Sequence, residues 1–218
     1  MPANLTELKA DVAGWLNRDD IDDADLGKFV RLGELQLDLY LRCRYNSKTT
    51  RFFVSNGLIT IPDDYTELRI VQPVGTWDGL DVATLVASPQ PPMVPVSFQA
   101  LAGYQSGSYP GYPANYAETP DGASWAIYPA GNWAIDVSYY HKLPALSDDN
   151  AATARLFQAF PDVYLSAALV EAESWLKVKE PDRGPWRGKL DAYITSLNGN
   201  SRRSEVSGGT LVTRSPYR

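Results

Sequence analysis

FQAFPDVYLSAALVEAESWLKVK, residues 157–179, decides the fold. Pro161 suits a first helical position, where its missing N–H would have had no partner, and Asp162 sets a negative charge at the positive end of the helix dipole. Beyond them Leu165, Ala168, Leu169, Ala172, Trp175 and Leu176 recur at the three-and-four spacing of one helical face. Tyr164, Ala167 and Val170 make other faces apolar too. A helix apolar on most sides is buried among other elements, so the stretch predicts the central rod of a helical bundle. The small Ala167, Ala168 and Ala172 let neighbouring elements approach closely.

Helices are expected on both sides of this rod. Asn4 caps a first helix with Glu7 three residues on, and Leu5, Leu8, Val12, Trp15 and Leu16 form its stripe. Asp22 or Asp23 opens a second helix running to about Arg44. Its inner face follows Leu26, Phe29, Val30, Gly33, Leu37, Tyr40 and Leu41, with Arg31, Glu34, Asp38 and Arg42 outside. The intervening Asp19, Asp20, Asp22, Asp23 and Asp25 lack the alternating ligands, sixth-position Gly and twelfth-position Glu of a calcium loop, so they read as turn and cap. Downstream, Asn150 caps a short helix ending before Phe160. After a tight connection at 179–185, Trp186, Leu190, Tyr193, Ile194 and Leu197 mark a last amphipathic helix stopped by Gly199.

Between these groups the period changes near Thr49. Residues 53–61, FVSNGLITI, set Asn56-Gly57 between two apolar runs, a hairpin signal because both residues tolerate positive φ. Residues 67–71 read as another strand, 97–104 as a short helix, and 80–86 and 124–128 as apolar pieces. Residues 132–140 alternate Trp133, Ile135, Val137 and Tyr139 against polar or small partners, the pattern of a half-buried strand. Short strands with frequent turns indicate a small antiparallel sandwich or barrel. The expected class is α+β: a discontinuous α-helical bundle from residues 1–48 and 147–199, an inserted β-sandwich or barrel at 49–146, and a flexible carboxy-terminal tail at 200–218.

Composition narrows the chemistry. The 218 residues are 44% apolar and 21% charged, ordinary for a soluble globular protein. No run of about 18 apolar residues and no basic-then-apolar amino terminus is present, so neither a membrane span nor a secretory signal is expected, and maturation is expected in the cytosol. A formal charge of −6 and a pI near 4.8 argue against a protein that grips nucleic acid through its whole surface. Cys43 reads as a buried thiol. His141, the single histidine, leaves no material for a zinc site or for a Cys-His or Ser-His pair. Gly208-Gly209 has no strand before it and no Lys-Ser after it, so it is not a phosphate loop. Asp63 with Asp64 and Asp148 with Asp149 are neighbours in turns rather than an acid-base pair. The expectation is no enzyme, no cofactor and no metal.

Two features point to contacts instead. Residues 200–218, NSRRSEVSGGTLVTRSPYR, have no amphipathic period, and Arg202, Arg203, Arg214 and Arg218 oppose only Glu205 and the terminal carboxylate. A basic end on an acidic chain points to a partner. Tyr104, Tyr109, Tyr112, Tyr116 and Trp125 read either as core and covering loops of the sandwich or as a contact surface, since such rings give large rigid area and sugars stack on them.

Several runs occur in a familiar order: WLNR at 15–18 before an acidic turn, the long second helix, LITIPDDYTELRIV at 58–71, WAIYPAGNWAIDVSYYHKLPALS at 125–147, and FPDVYLSAALVEAESWLK at 160–177. They cover most of the chain, though not residues 75–120. On these runs the chain resembles the head-tail adaptor (tail tubular protein A-like, connector) family of short-tailed phages. The resemblance implies a structural virion protein at the head-tail junction, assembled in the host cytoplasm, without catalysis or cofactor. It implies a dodecameric ring of this chain between the portal protein and the tail nozzle protein, with DNA passing non-specifically through its channel and no membrane involved. It also implies a carboxy-terminal extension that docks on the portal, and Arg202, Arg203, Arg214, Tyr217 and Arg218 are the hypothesised contact residues. Tyr109, Tyr112, Tyr116 and Trp125 are then assigned to a neighbouring subunit or the nozzle. The alternative from another class is a carbohydrate-binding tail module that holds host glycans on the Tyr and Trp loops of the β domain. A bundle split across both ends of the chain gives that alternative little support. A virion-associated hydrolase would need an acid-base pair that the sequence does not show.

Overall fold

The computed structural model describes residues 2–18, 20–104, 111–151, 154–177 and 184–207. The fold is mixed α+β, and the chain divides into two compact units, Met1–Asn46 with Leu143–Arg218, and Ser47–Lys142.

In the helical unit α5 (Pro161–Trp175) is the axis: eleven of its fifteen residues are buried. The helices α1 (Leu5–Leu16), α2 (Asp23–Tyr40), α4 (Arg155–Ala159) and α6 (Trp186–Ser207) all touch it, α2 most extensively. That closest approach is backbone to backbone. A Cβ on Gly33 would lie 2.9 Å from the Ala167 carbonyl carbon and the Ala168 nitrogen, so only glycine opposite two alanines fits. Around this seam Leu8, Val12, Phe29, Leu37, Phe157 and Leu169 form a continuous core. The amino-terminal caps form as the sequence predicts. Glu7 N donates to Asn4 Oδ1 (2.8 Å) and Asp25 N donates to Asp22 Oδ1 (2.7 Å).

Trp15 and Trp175, read as inner-face residues, are exposed, and four further details differ from expectation. Glu34 is not outside but 2% exposed: Leu146 N donates to its Oε1 (2.6 Å) and Arg31 to its Oε2 (2.9 Å). Leu143 N likewise donates to Asp38 Oδ1 (2.7 Å). The chain re-entering the unit lies along α2 here, and its N–H groups need acceptors, so the polar side of α2 serves backbone rather than water. Second, α2 ends at Tyr40, which is 56% exposed, short of Arg44. A 3₁₀ turn at Arg44–Asn46 follows, and the Asn46 amide holds the break by donating to Leu41 O (2.8 Å) and accepting from Cys43 N (2.9 Å). Third, α4 starts at Arg155, and Asn150 instead accepts from Ser147 N (2.8 Å) in a preceding turn.

The fourth correction concerns the last helix. It does not stop at Gly199 but runs to Ser207. Tertiary bonds lie on both sides of the glycine: Arg42 N donates to Asn198 Oδ1 (2.7 Å) and Arg44 N to Ser201 Oγ (2.6 Å). One interior glycine costs only about 1 kcal/mol against alanine, and these ties outweigh it. Residues 200–207 are therefore helical, and the remainder of the expected flexible tail, 208–218, lies outside the described residues.

The strand unit holds two sheets. One has the order β1 (Ser47–Val54), β8 (Trp133–His141), β3 (Tyr65–Thr76), β4 (Val86–Ala87); the other has β2 (Leu58–Thr60), β7 (Ser124–Tyr128), β6 (Asn115–Glu118), β5 (Val94–Pro95). Helix α3 (Phe98–Tyr104) packs on β6 and β7. The ladders are antiparallel except β5 with β6. The alternation in β8 sends Ile135, Val137 and Tyr139 into a core shared with Val54, Ile59, Val71, Trp125 and Ile127. The Asn56-Gly57 turn forms, with Gly57 at φ +69°, but it does not make a hairpin. β1 pairs along its whole length with β8, and β2 pairs with β7, so the turn carries the chain from one sheet to the other.

Candidate functional site

Where α2 ends, Arg42 and Arg44 come to the part of α6 that bears Arg202, and backbone hydrogen bonds build this arrangement. Where α2 stops, its last carbonyls and the N–H groups that follow need partners. Asn198 supplies both kinds, accepting from Arg42 N and donating to Tyr40 O (3.0 Å), and Ser201 takes Arg44 N. These ties bring Arg42 and Arg44 to the part of α6 that bears Arg202. Arg42 Nη1 donates to the carbonyls of Asp38 (2.9 Å) and Leu41 (2.8 Å). Arg44 Nη2 donates to Tyr45 Oη (2.9 Å), and its guanidinium carbon lies 5.0 Å from the centre of that ring. Tyr45 in turn meets Phe160 edge to face at 5.4 Å. Arg44, Tyr45, Phe160, Leu197 and Ser201 are among the walls of a pocket of about 270 Å³. Cys43 also borders it; burial pushes its thiol above the ordinary value, which keeps it protonated and unreactive.

The expected portal contacts divide accordingly. Arg202 is exposed on α6, and Arg203 is on the same helix, its side chain outside the described part. Arg214, Tyr217 and Arg218 lie outside the described residues. Arg42 and Arg44 are additions that sequence reasoning missed.

The aromatic candidates of the strand unit do not share one surface. Trp125 is 2% exposed and sits in the core, edge to face with Tyr65 at 5.1 Å. Tyr116 is half-buried against the same core, and burial raises its phenol. Tyr112 is 41% exposed; it leans on Trp133 at 5.6 Å and donates to Ser88 Oγ (3.0 Å). Tyr104 stacks on Tyr128, and Tyr109 lies outside the described residues. Apolar exposure is found elsewhere. In the strand unit Leu80 is 93% exposed, with Val82 and Val86 also open. In the helical unit Leu32, Leu35 and Leu39 form a second, exposed line on α2. Their three-and-four spacing was visible in the sequence, but the core face of the same helix had absorbed the period.

Groups with shifted titration serve structure. Burial raises the Glu34 carboxyl, against the opposing hydrogen bonds from Arg31 and Leu146. Burial acts to raise Asp64 as well, yet Lys48 Nζ (3.0 Å) and Tyr139 Oη (3.0 Å) donate to it and hold it below the usual carboxylate range. Asp148 is held low by the donors of Thr6, its N (2.9 Å) and Oγ1 (2.8 Å). The Nδ1 of His141 lies 2.8 Å from the Lys142 carbonyl oxygen. Among the described residues no three His, Cys, Asp or Glu side chains group to hold a metal ion, and no helix is long and apolar enough to cross a membrane.

Comparison with known proteins gives one family. Its model, described as SU10 adaptor protein, matches residues 3–214. No curated protein matches the chain.

Proposed function

The chain belongs to the SU10 adaptor protein family, and from that premise we propose that this phage adaptor works as a dodecameric ring joining the portal protein to the tail nozzle protein. As a phage adaptor it is a structural virion component that associates with other head and tail proteins. The finer reading places it at the head-tail junction, assembled in the host cytoplasm, with no catalysis and no cofactor. The observation that carries this reading is the extent of the family match, which takes in both units and most of the chain beyond α6.

In this reading Arg42, Arg44 and Arg202 face the portal. Arg202 and Arg203 start from a helix already tied to residues 40–46, and Arg214, Tyr217 and Arg218 continue the contact. Repeating it around a ring makes it multivalent, so a modest contact per copy suffices. The exposed leucines of α2 and the apolar residues at 80–86, with Tyr109, Tyr112 and the uncovered part of Tyr116, meet a neighbouring copy or the nozzle. Trp125 drops out, because a residue buried in the core cannot reach a partner. A chain of net charge −6 lets DNA pass through the channel without binding it. The rings available for a glycan platform are divided between core and surface, and no observation favours that alternative.

Light-scattering mass after gel filtration tests the proposal, on the full chain and on a version ending at Ser207, each alone and with portal. Portal-dependent assembly of the full chain that weakens on truncation is the expected result. A full chain that stays apart from portal overturns the reading.

A further inference from the structure

Arg44 differs from four other arginines of the chain, each of which faces a carboxylate. Arg18 faces Asp20, Arg31 faces Glu34, Arg51 faces Asp136 (2.7 Å) and Arg187 faces Asp191 (3.7 Å). Among the described residues no carboxylate pairs with Arg44, although the chain carries 26 Asp and Glu against 20 Lys and Arg. Its guanidinium is instead held by a phenol oxygen and the face of one ring, both belonging to Tyr45. Tyr45 is itself fixed by Phe160, and the backbone of Arg44 is fixed by Ser201. The side chain is therefore pre-set beside a pocket, with most of its five N–H donors still free to meet an acceptor.

We propose that Arg44, with the pocket between Tyr45, Phe160 and Leu197, is a fixed seat for a carboxylate side chain of the portal, flanked by Arg42 and Arg202. This rests on the portal-binding reading above and gives that contact an ordered part in addition to its carboxy-terminal arm. The chemistry selects a carboxylate on a protein. A planar guanidinium fork donates two parallel N–H bonds to one carboxylate, and the apolar walls take the methylene stem of Asp or Glu. A pocket of about 270 Å³ holds one side chain and not a duplex backbone. The acidic balance of the chain also disfavours phosphate.

The test is association of the full chain with portal rings at physiological salt for wild type, Arg44→Glu, Arg44→Lys and Arg202→Glu, with thermal midpoints as a folding control. Arg44→Glu is expected to weaken association by about tenfold or more, because a desolvated charge contact is reversed. Arg44→Lys should recover only part of the loss, since lysine keeps the charge without the fork. Arg202→Glu keeps the seat testable if Arg44→Glu does not fold. Wild-type portal binding with unchanged binding of a folded Arg44→Glu overturns the seat and leaves the adaptor reading standing. Absence of wild-type binding overturns both. Binding of a plain DNA duplex that Arg44→Glu abolishes, with portal binding unchanged, assigns the pocket to phosphate and also overturns the proposal.

Discussion

In the helical unit Gly33 lies against the backbone of Ala167 and Ala168, whereas the middle of the strand unit is filled by the rings of Trp125, Tyr65 and Tyr139. Helices close up by having nothing at the seam; sheets, held about 10 Å apart by their side chains, need bulk between them. Opposite changes of volume should therefore do damage in the two places, shrinking a side chain in the strand unit and enlarging one in the helical unit. Trp125→Ala removes a ring that nothing nearby can replace, and should cost about 3–5 kcal/mol in urea unfolding. Gly33→Val adds only an isopropyl group but pushes it into backbone, which cannot rotate away, so a loss of about 3 kcal/mol is expected. A well-tolerated Gly33→Val would show that α2 and α5 do not depend on close approach.

The units also place carboxylates differently, and pH separates them. Glu34 in the helical unit is raised by burial, so the protonated form favours folding. That contribution is full below the unfolded value and is lost as pH rises through the raised folded one. Asp64 in the strand unit is lowered, so its contribution is present above the unfolded value and lost as pH falls through the folded one. Glu34→Gln should thus gain on wild type as pH rises above about 4, where the wild-type carboxyl has to ionise in a buried place. Asp64→Asn should be less stable than wild type above about pH 4 and converge with it as pH falls further, by a small amount because Asp64 and Lys48 are partly exposed and salt screens them. Thermal midpoints measured from below about pH 4 up to neutral pH check the two signs, and a loss for Glu34→Gln would show that Glu34 is stabilised in its charged form.

How far the sequence was legible follows the range of the interactions. The axis α5 could be read because burial on every face leaves a local mark, and β8 because alternation does the same. Glu34 could not, since its acceptor role depends on Leu146, 112 residues away, and a lone Glu on a helix reads as solvent-facing. Asn56-Gly57 sets a backbone angle but does not say which sheet the next strand will join. The grouping of Arg42, Arg44 and Arg202 was half legible. Arg202 stood out in a basic run, while Arg42 and Arg44 reach it only through bonds spanning 156 and 157 residues. Trp125 lies in a short strand among turns, where one ring fits core and surface equally well until its neighbours are known.

Two glycines, Gly57 and Gly199, should respond to alanine with opposite signs. In the strand unit Gly57 is at φ +69° with the Ala130 Cβ only 2.8 Å from where its own would be, so alanine there must destabilise. At Gly199 nothing lies within 4 Å of the added Cβ. Because α6 is continuous through this position, Gly199→Ala removes backbone freedom from the unfolded chain at no steric cost and stabilises by about 0.5–1 kcal/mol. If the helix ended at residue 199 with a left-handed cap, the same change would destabilise, because alanine disfavours that conformation. A rise of about a few degrees in the thermal midpoint is therefore expected, and a fall would contradict the helix that carries Arg202 past this glycine.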